Sequence, residues 1–242
     1  VRPWLEQCIK LQDHHQAIFR IIGQSESMVQ EKVKKMNNFR EVQIAYCATP
    51  GSVELRFTGT TDRVNEMRNQ TRKVFAGDVL NESGDFIEVE IGETLRKSKF
   101  TVATAESCTA GGIAERISTV PGASDYLLGG VVAYANQVKM NELNVSESAL
   151  KTKGAVSEEV AGEMATGIRK KFNSDWGLSI TGIAGPGGGS AEKPIGLFFV
   201  GVAGENYLKV TQFQAGGNRS NICEHGIQQA MTELWRALQS VK

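Results

Sequence analysis

From Thr101 to the end of the chain, short apolar runs alternate with stretches whose apolar residues recur every three to four positions, and no other feature limits the fold as tightly. Alternating strands and helices bury their apolar faces only by laying the helices against a sheet, which defines a layered α/β domain. Strands are expected over 101–105, 130–135, 177–181, 195–203 and 207–213, the last two joined by a turn at Gly204, Glu205 and Asn206. Between them Ile113 and Ile117 mark one helix, and Val160, Met164 and Ile168 mark a longer one behind a Ser157 cap. Glu158 and Glu159 in its first turn and Lys170 and Lys171 in its last suit the helix dipole. A final helix keeps Ile227, Ala230, Met231, Leu234 and Leu238 on its inner side.

Residues before this domain read differently. Gln16 to Ile22 is a short apolar stretch, and Ser27 with Gln30 forms a capping box for a helix that places Val29, Val33 and Met36 on one face. Val42, Ile44 and Tyr46 alternate, a turn follows at Thr49 to Ser52, and Val53, Leu55 and Phe57 alternate again, as in a hairpin. A second helix from about Thr61 puts Val64, Met67, Val74 and Phe75 on one side. The βαββα order describes a small α+β domain. It lacks the GxxG loop of a KH reader, so a structural role is the expectation. The polar stretch 81–85 reads as the linker, giving an α+β domain at 1–85 and an α/β domain with a mixed sheet at 86–242, which opens with Ile87, Ile91 and Leu95 at helical spacing.

Charge and cysteine usage narrow the partners. Lys plus Arg equals Asp plus Glu at 27 each, so the net charge is zero and no electrostatic footprint for nucleic acid or an anionic membrane is expected. Cys8, Cys47, Cys108 and Cys223 form no CxxC pair, which argues against zinc ribbons and disulfide frameworks and for a reducing, cytoplasmic setting. No apolar run approaches a membrane span. The chain opens on Val1 rather than Met, as a piece or processed form of a longer protein would.

Three segments fall where a strand ends, the place where ligands bind in open α/β sheets. The first, residues 105–112, carries Ser107 between a strand and a helix start, a position that suits a nucleophile but is more often a helix cap. The second, 129–139, carries Tyr134 and Lys139 across a strand-to-helix junction; a buried Lys beside a hydroxyl can serve as a base, whereas an isolated Tyr and Lys are more often core edge and surface. The third, 181–190, is glycine-rich and can either form an anion-binding nest or simply be a flexible loop. It matches neither a P-loop nor a dinucleotide fingerprint. Cys108 is an alternative nucleophile or a small buried thiol. Only His14, His15 and His225 are present, so a Ser-His-Asp triad would need His225, which lies in an amphipathic helix with no obvious partner; no metal site is suggested and no cofactor is called for.

Taken in series, the segments resemble one family. AESCTAGG at 105–112, VPGAS at 120–124, GGVVAYANQVK at 129–139, GAVSEEVA at 154–161, TGIAGPGGG at 181–189 and EKPIG at 192–196 resemble the C-terminal domain of the CinA family and its stand-alone nicotinamide-nucleotide amidases. IIGQSES at 21–27 and the IAYCATPG hairpin resemble the CinA middle domain. The family's N-terminal domain, similar to molybdopterin-binding proteins, has no counterpart in these 242 residues. This chain departs from the family at Ala110, where AESCTGG is usual, at Asn144 within an LGV-like string, and at Asn218 in a GDR-like one.

The resemblance implies a hydrolase of pyridine nucleotide salvage that converts nicotinamide mononucleotide to nicotinic acid mononucleotide and ammonia. It places Ser107, Tyr134 and Lys139 in catalytic roles, with Lys139 drawing the Ser107 proton directly or through Tyr134. Backbone amides from Cys108 through Thr109 to Gly111 are expected to hold the oxyanion. Gly182, Gly185, Gly187, Gly188 and Arg219 are expected to meet the phosphate and ribose. It also implies a homodimer. The competing expectation is a catalytically weak relative that binds a nucleotide or a partner in competence or DNA processing.

Overall fold

The computed structural model describes residues 15–241, which fall into two compact units parting between Phe86 and Ile87. Cys8 and His14 lie outside the described residues.

The first unit contains β1 (His15–Ile22), α1 (Glu26–Lys34), β2 (Gln43–Thr49), β3 (Ser52–Gly59), α2 (Thr61–Val74) and β4 (Val79–Asn81). Its antiparallel sheet runs β2-β3-β1-β4. Period two sends Phe19, Ile21, Val53, Leu55 and Phe57 to one face, where they meet Val29, Val33, Val64, Met67 and Phe75. Three local expectations shift. The cap of α1 is Ser25, whose hydroxyl accepts from the Met28 amide at 3.3 Å, because Ser25 is the extended residue outside the helix and Ser27 already lies inside it. The inner row of α2 takes Thr71, and Val74 at the helix end is exposed. The expected linker starts as strand β4, and its later part is pinned, since the buried Arg20 guanidinium donates to the Gly84 carbonyl and to Glu54.

The second unit contains α3 (Ile87–Ser98), β5 (Val102–Glu106), α4 (Gly112–Ser118), β6 (Leu127–Val132), α5 (Asn136–Leu143), α6 (Glu147–Thr152), α7 (Glu158–Phe172), β7 (Trp176–Gly182), β8 (Leu197–Ala203), β9 (Leu208–Gln214) and α8 (Arg219–Ser240). The mixed sheet runs β6-β5-β7-β8-β9, with β5 parallel to both neighbours and β8 and β9 antiparallel. Ser157 caps α7 as expected, accepting from the Val160 amide. Val160, Met164 and Ile168 of α7 pack with Ala103 and Ala105 of β5. Strand β6 sits three residues earlier than the apolar run suggests. Gly130 permits this, because a Cβ there would stand 2.3 Å from Thr104 Oγ1 across the ladder. The short helix α6, capped by Ser146, has no counterpart among the expected elements. Among the described residues no helix is long and apolar enough to cross a membrane.

Strand order also sets where a ligand can sit. The chain leaves β5 to form β6 on one side, then returns to form β7 on the other, so the switch point at which ligands bind in such sheets falls at the carboxyl end of β5.

Candidate active site

Ser107 follows the last residue of β5 and is almost fully buried. Its amide donates to the Ile180 carbonyl of β7 at 3.0 Å, and the Glu106 carbonyl accepts from the Ala133 amide beyond β6 at 2.7 Å. The nucleophile candidate is therefore held from both neighbouring strands.

Lys139 lies in the first turn of α5 and is 1% exposed. Its Nζ stands 3.0 Å from Ser107 Oγ, 2.6 Å from the Ala133 carbonyl and 3.2 Å from the Tyr134 carbonyl. Burial penalises the ammonium and pulls the amine down from 10.5 to about 8. Two carbonyls take two N–H bonds, so in the neutral amine the remaining lone pair faces the Ser107 hydroxyl. When the amine is charged the same three contacts become three donated bonds. The group can change protonation state without moving.

Tyr134 is not between them. Its side chain is 58% exposed and its hydroxyl accepts from Arg219 Nη2 at 3.0 Å; only its backbone carbonyl meets Lys139. Of the two expected routes, direct or through the phenol, the side-chain contacts present are those of the direct one, because the chain turns outward after Ala133 to start α5. Arg219, the first residue of α8, also donates through Nη1 to the Gly185 carbonyl at 2.9 Å. It bridges the second and third segments, and among the described residues no carboxylate pairs with it.

The turn after Ser107 differs from expectation in one respect. The buried Glu106 carboxylate accepts from the Thr109 hydroxyl at 2.6 Å, from the Gly111 and Ile113 amides at 3.0 Å each, and from the Ala114 amide at 2.9 Å. Gly111 and the Thr109 hydroxyl are thus occupied and drop out as ligand donors, leaving the amides of Cys108 and Thr109 beside Ser107. Sequence reasoning missed Glu106. Its signal was an acidic residue ending a buried strand just before a helix start, where free amides collect.

Cys108 fits poorly as a nucleophile, since burial chiefly pushes its thiol up to about 12. The structure brings Cys223 to it, the Cys223 thiol lying 3.3 Å from the Cys108 carbonyl. His225 packs edge-on against Phe198, and burial lowers its pKa. The glycines divide by role. Gly182 closes the β7–β8 ladder, where a Cβ would sit 2.4 Å from Phe198 Cβ, so it serves packing. Gly185 presents its carbonyl to Arg219, whereas Gly187 and Gly188 lie exposed in the loop beyond. A cavity of about 770 Å³ on the outer side of α7, lined by Glu158, Gly162, Glu163, Leu208 and Val210, contains none of these residues. The contacts of Ser107 and Lys139, rather than cavity size, locate the candidate chemistry.

Residues 85–238 match the family model of the CinA C-terminal domain. A CinA-like protein of Crocosphaera subtropica is 42% identical over 193 residues, covering 77% of this chain and 47% of that protein. One of Kosmotoga olearia is 37% identical over 248 residues, covering 98% and 60%. The chain spans about half the length of the curated relatives it matches. Among solved structures, a competence/damage inducible protein of Agrobacterium tumefaciens is 34% identical with a TM-score of 0.60, covering 64% of this chain and 97% of that one. A CinA superfamily protein of Klebsiella pneumoniae is 27% identical with a TM-score of 0.62, covering 64% and 96%.

Proposed function

The chain belongs to the CinA family, and we propose that its second unit is an amidase that hydrolyses the carboxamide of nicotinamide mononucleotide. The observation that carries this reading is the 3.0 Å contact between Ser107 Oγ and a buried Lys139 whose amine titrates near 8. A serine hydroxyl needs a base to become a nucleophile, and here the base is a desolvated lysine rather than a histidine.

Lys139 takes the Ser107 proton as Oγ attacks the carboxamide carbon. The oxyanion forms beside the Cys108 and Thr109 amides, the two near Ser107 that Glu106 leaves free. The C–N bond then breaks, and Lys139 returns its proton to the departing nitrogen, so ammonia leaves and an acyl-serine remains. Water gives a proton to Lys139 as its oxygen attacks that ester, and Lys139 passes the proton to Ser107 Oγ as the C–O bond breaks, releasing the nucleotide acid and restoring both residues. Arg219, uncompensated and facing the same crevice through Tyr134 and Gly185, is the residue for the substrate's phosphate. A free guanidinium there favours the nucleotide, which carries a phosphate, over nicotinamide or the riboside, which carry none.

Ammonia release from the purified chain, with nicotinamide mononucleotide, the riboside and nicotinamide compared, tests the reading. Ser107→Ala is expected to lower kcat by roughly 10⁴ to 10⁶ while the protein stays folded. Cys108→Ala should keep most of the rate. Loss of turnover in the Cys108 variant with retention in the Ser107 variant would transfer the nucleophile to the thiol, and no ammonia from any of the three amides would end the proposal.

A further inference from the structure

We infer that Glu106 is a positioning residue, holding the turn that presents Ser107 and reserving the two amides beside it; the inference rests on the amidase reading. Glu106 ends β5 on the same face as Val102 and Thr104 and is 1% exposed. All its hydrogen-bond donors come from the eight residues that follow it, one hydroxyl and three amides, and among the described residues no cation pairs with it. The carboxylate therefore organises one local segment and ties no distant elements together.

That segment needs holding. Ala110 and Gly111 are both left-handed, with φ of 53° and 106°, and Gly111, at the start of α4, has no side chain to cap it. The first amides of a helix otherwise turn to water or to a ligand. Glu106 takes the amides of Gly111, Ile113 and Ala114, so water and substrate cannot compete for them there. A carboxamide at 106 would keep one oxygen but turn an NH₂ toward amide donors, and the turn would have to open to separate donor from donor. Ser107 and the Cys108 and Thr109 amides would then shift together, while the sheet beneath is untouched.

The test compares wild type with Glu106→Gln on two readouts: turnover of nicotinamide mononucleotide, and the rate at which a fluorophosphonate labels Ser107, which needs no substrate recognition. A misplacement of about an ångström costs on the order of a hundredfold, so kcat and the labelling rate should both fall by about that factor, with KM within about threefold. The pH midpoint should stay near 8, since burial sets it and Lys139 keeps its bonds to the Ala133 and Tyr134 carbonyls. Wild-type kcat and labelling in a folded Glu106→Gln protein would overturn the inference. So would a displaced midpoint, which would mean that Glu106 acts on Lys139 electrostatically. If Glu106→Gln fails to fold, Thr109→Val, which removes one donor, decides the matter: slower labelling supports positioning and wild-type labelling refutes it. If wild type releases no ammonia yet the labelling contrast persists, the amidase reading falls and the role of Glu106 stands.

Discussion

Replacing Lys139 tests the chemistry at its centre. Its amine is pulled from 10.5 to about 8 by burial, equivalent to about 3 kcal/mol in favour of the neutral form. With a midpoint near 8, about a tenth of the enzyme carries the free base at pH 7 and about nine tenths at pH 9. kcat/KM for ammonia release should therefore rise roughly tenfold across that interval through a single ionisation. Lys139→Met should remove both the limb and most of the rate. Lys139→Arg should not restore them, because a guanidinium does not give up its proton in this range. Stability supplies an independent reading of the same group. The folded pKa lies below the unfolded one, so between about 8 and 10.5 the unfolded chain binds more protons and stability rises with pH. From pH 7 to pH 10 wild type should gain about 2.5 kcal/mol relative to Lys139→Met in denaturant titrations. A flat kcat/KM profile between pH 7 and pH 9, or an Arg variant with near-normal rates, would show that position 139 supplies a fixed charge and that the base is another group.

Tyr134→Phe should raise KM several-fold through loss of the bond to Arg219, while kcat and its pH midpoint stay put, since the phenol touches neither Ser107 nor Lys139; a collapse of kcat would restore the phenol to the proton path. Ala110→Gly should raise the unfolding free energy by about 0.5–1 kcal/mol, because relief of a left-handed alanine outweighs the entropy glycine adds to the unfolded chain; a lower midpoint in thermal melts would contradict it.

Periodicity alone determined the order of the longer elements in both units and most inner faces of their helices, but neither strand β4 nor helix α6. Val160, Met164 and Ile168, or Phe19 and Leu55, carry spacings of 3.6 and 2 that hold wherever such an element is placed. The same reading put Ser107, Lys139 and the glycine loop at strand ends, because small and polar residues follow the apolar runs. That the three ends converge was settled by the order β6-β5-β7, which depends on packing between residues far apart in the chain. Hydrogen-bond direction was likewise beyond local pattern. Lys139 turns inward and Tyr134 outward from one junction because the carbonyls at 133 and 134 take the amine while Arg219 takes the phenol hydroxyl. Glu106 and Gly111 sit five residues apart in plain view, yet only the folded turn shows that one occupies the other's amide. A donor's partner is fixed by which neighbouring groups the tertiary structure leaves unpaired.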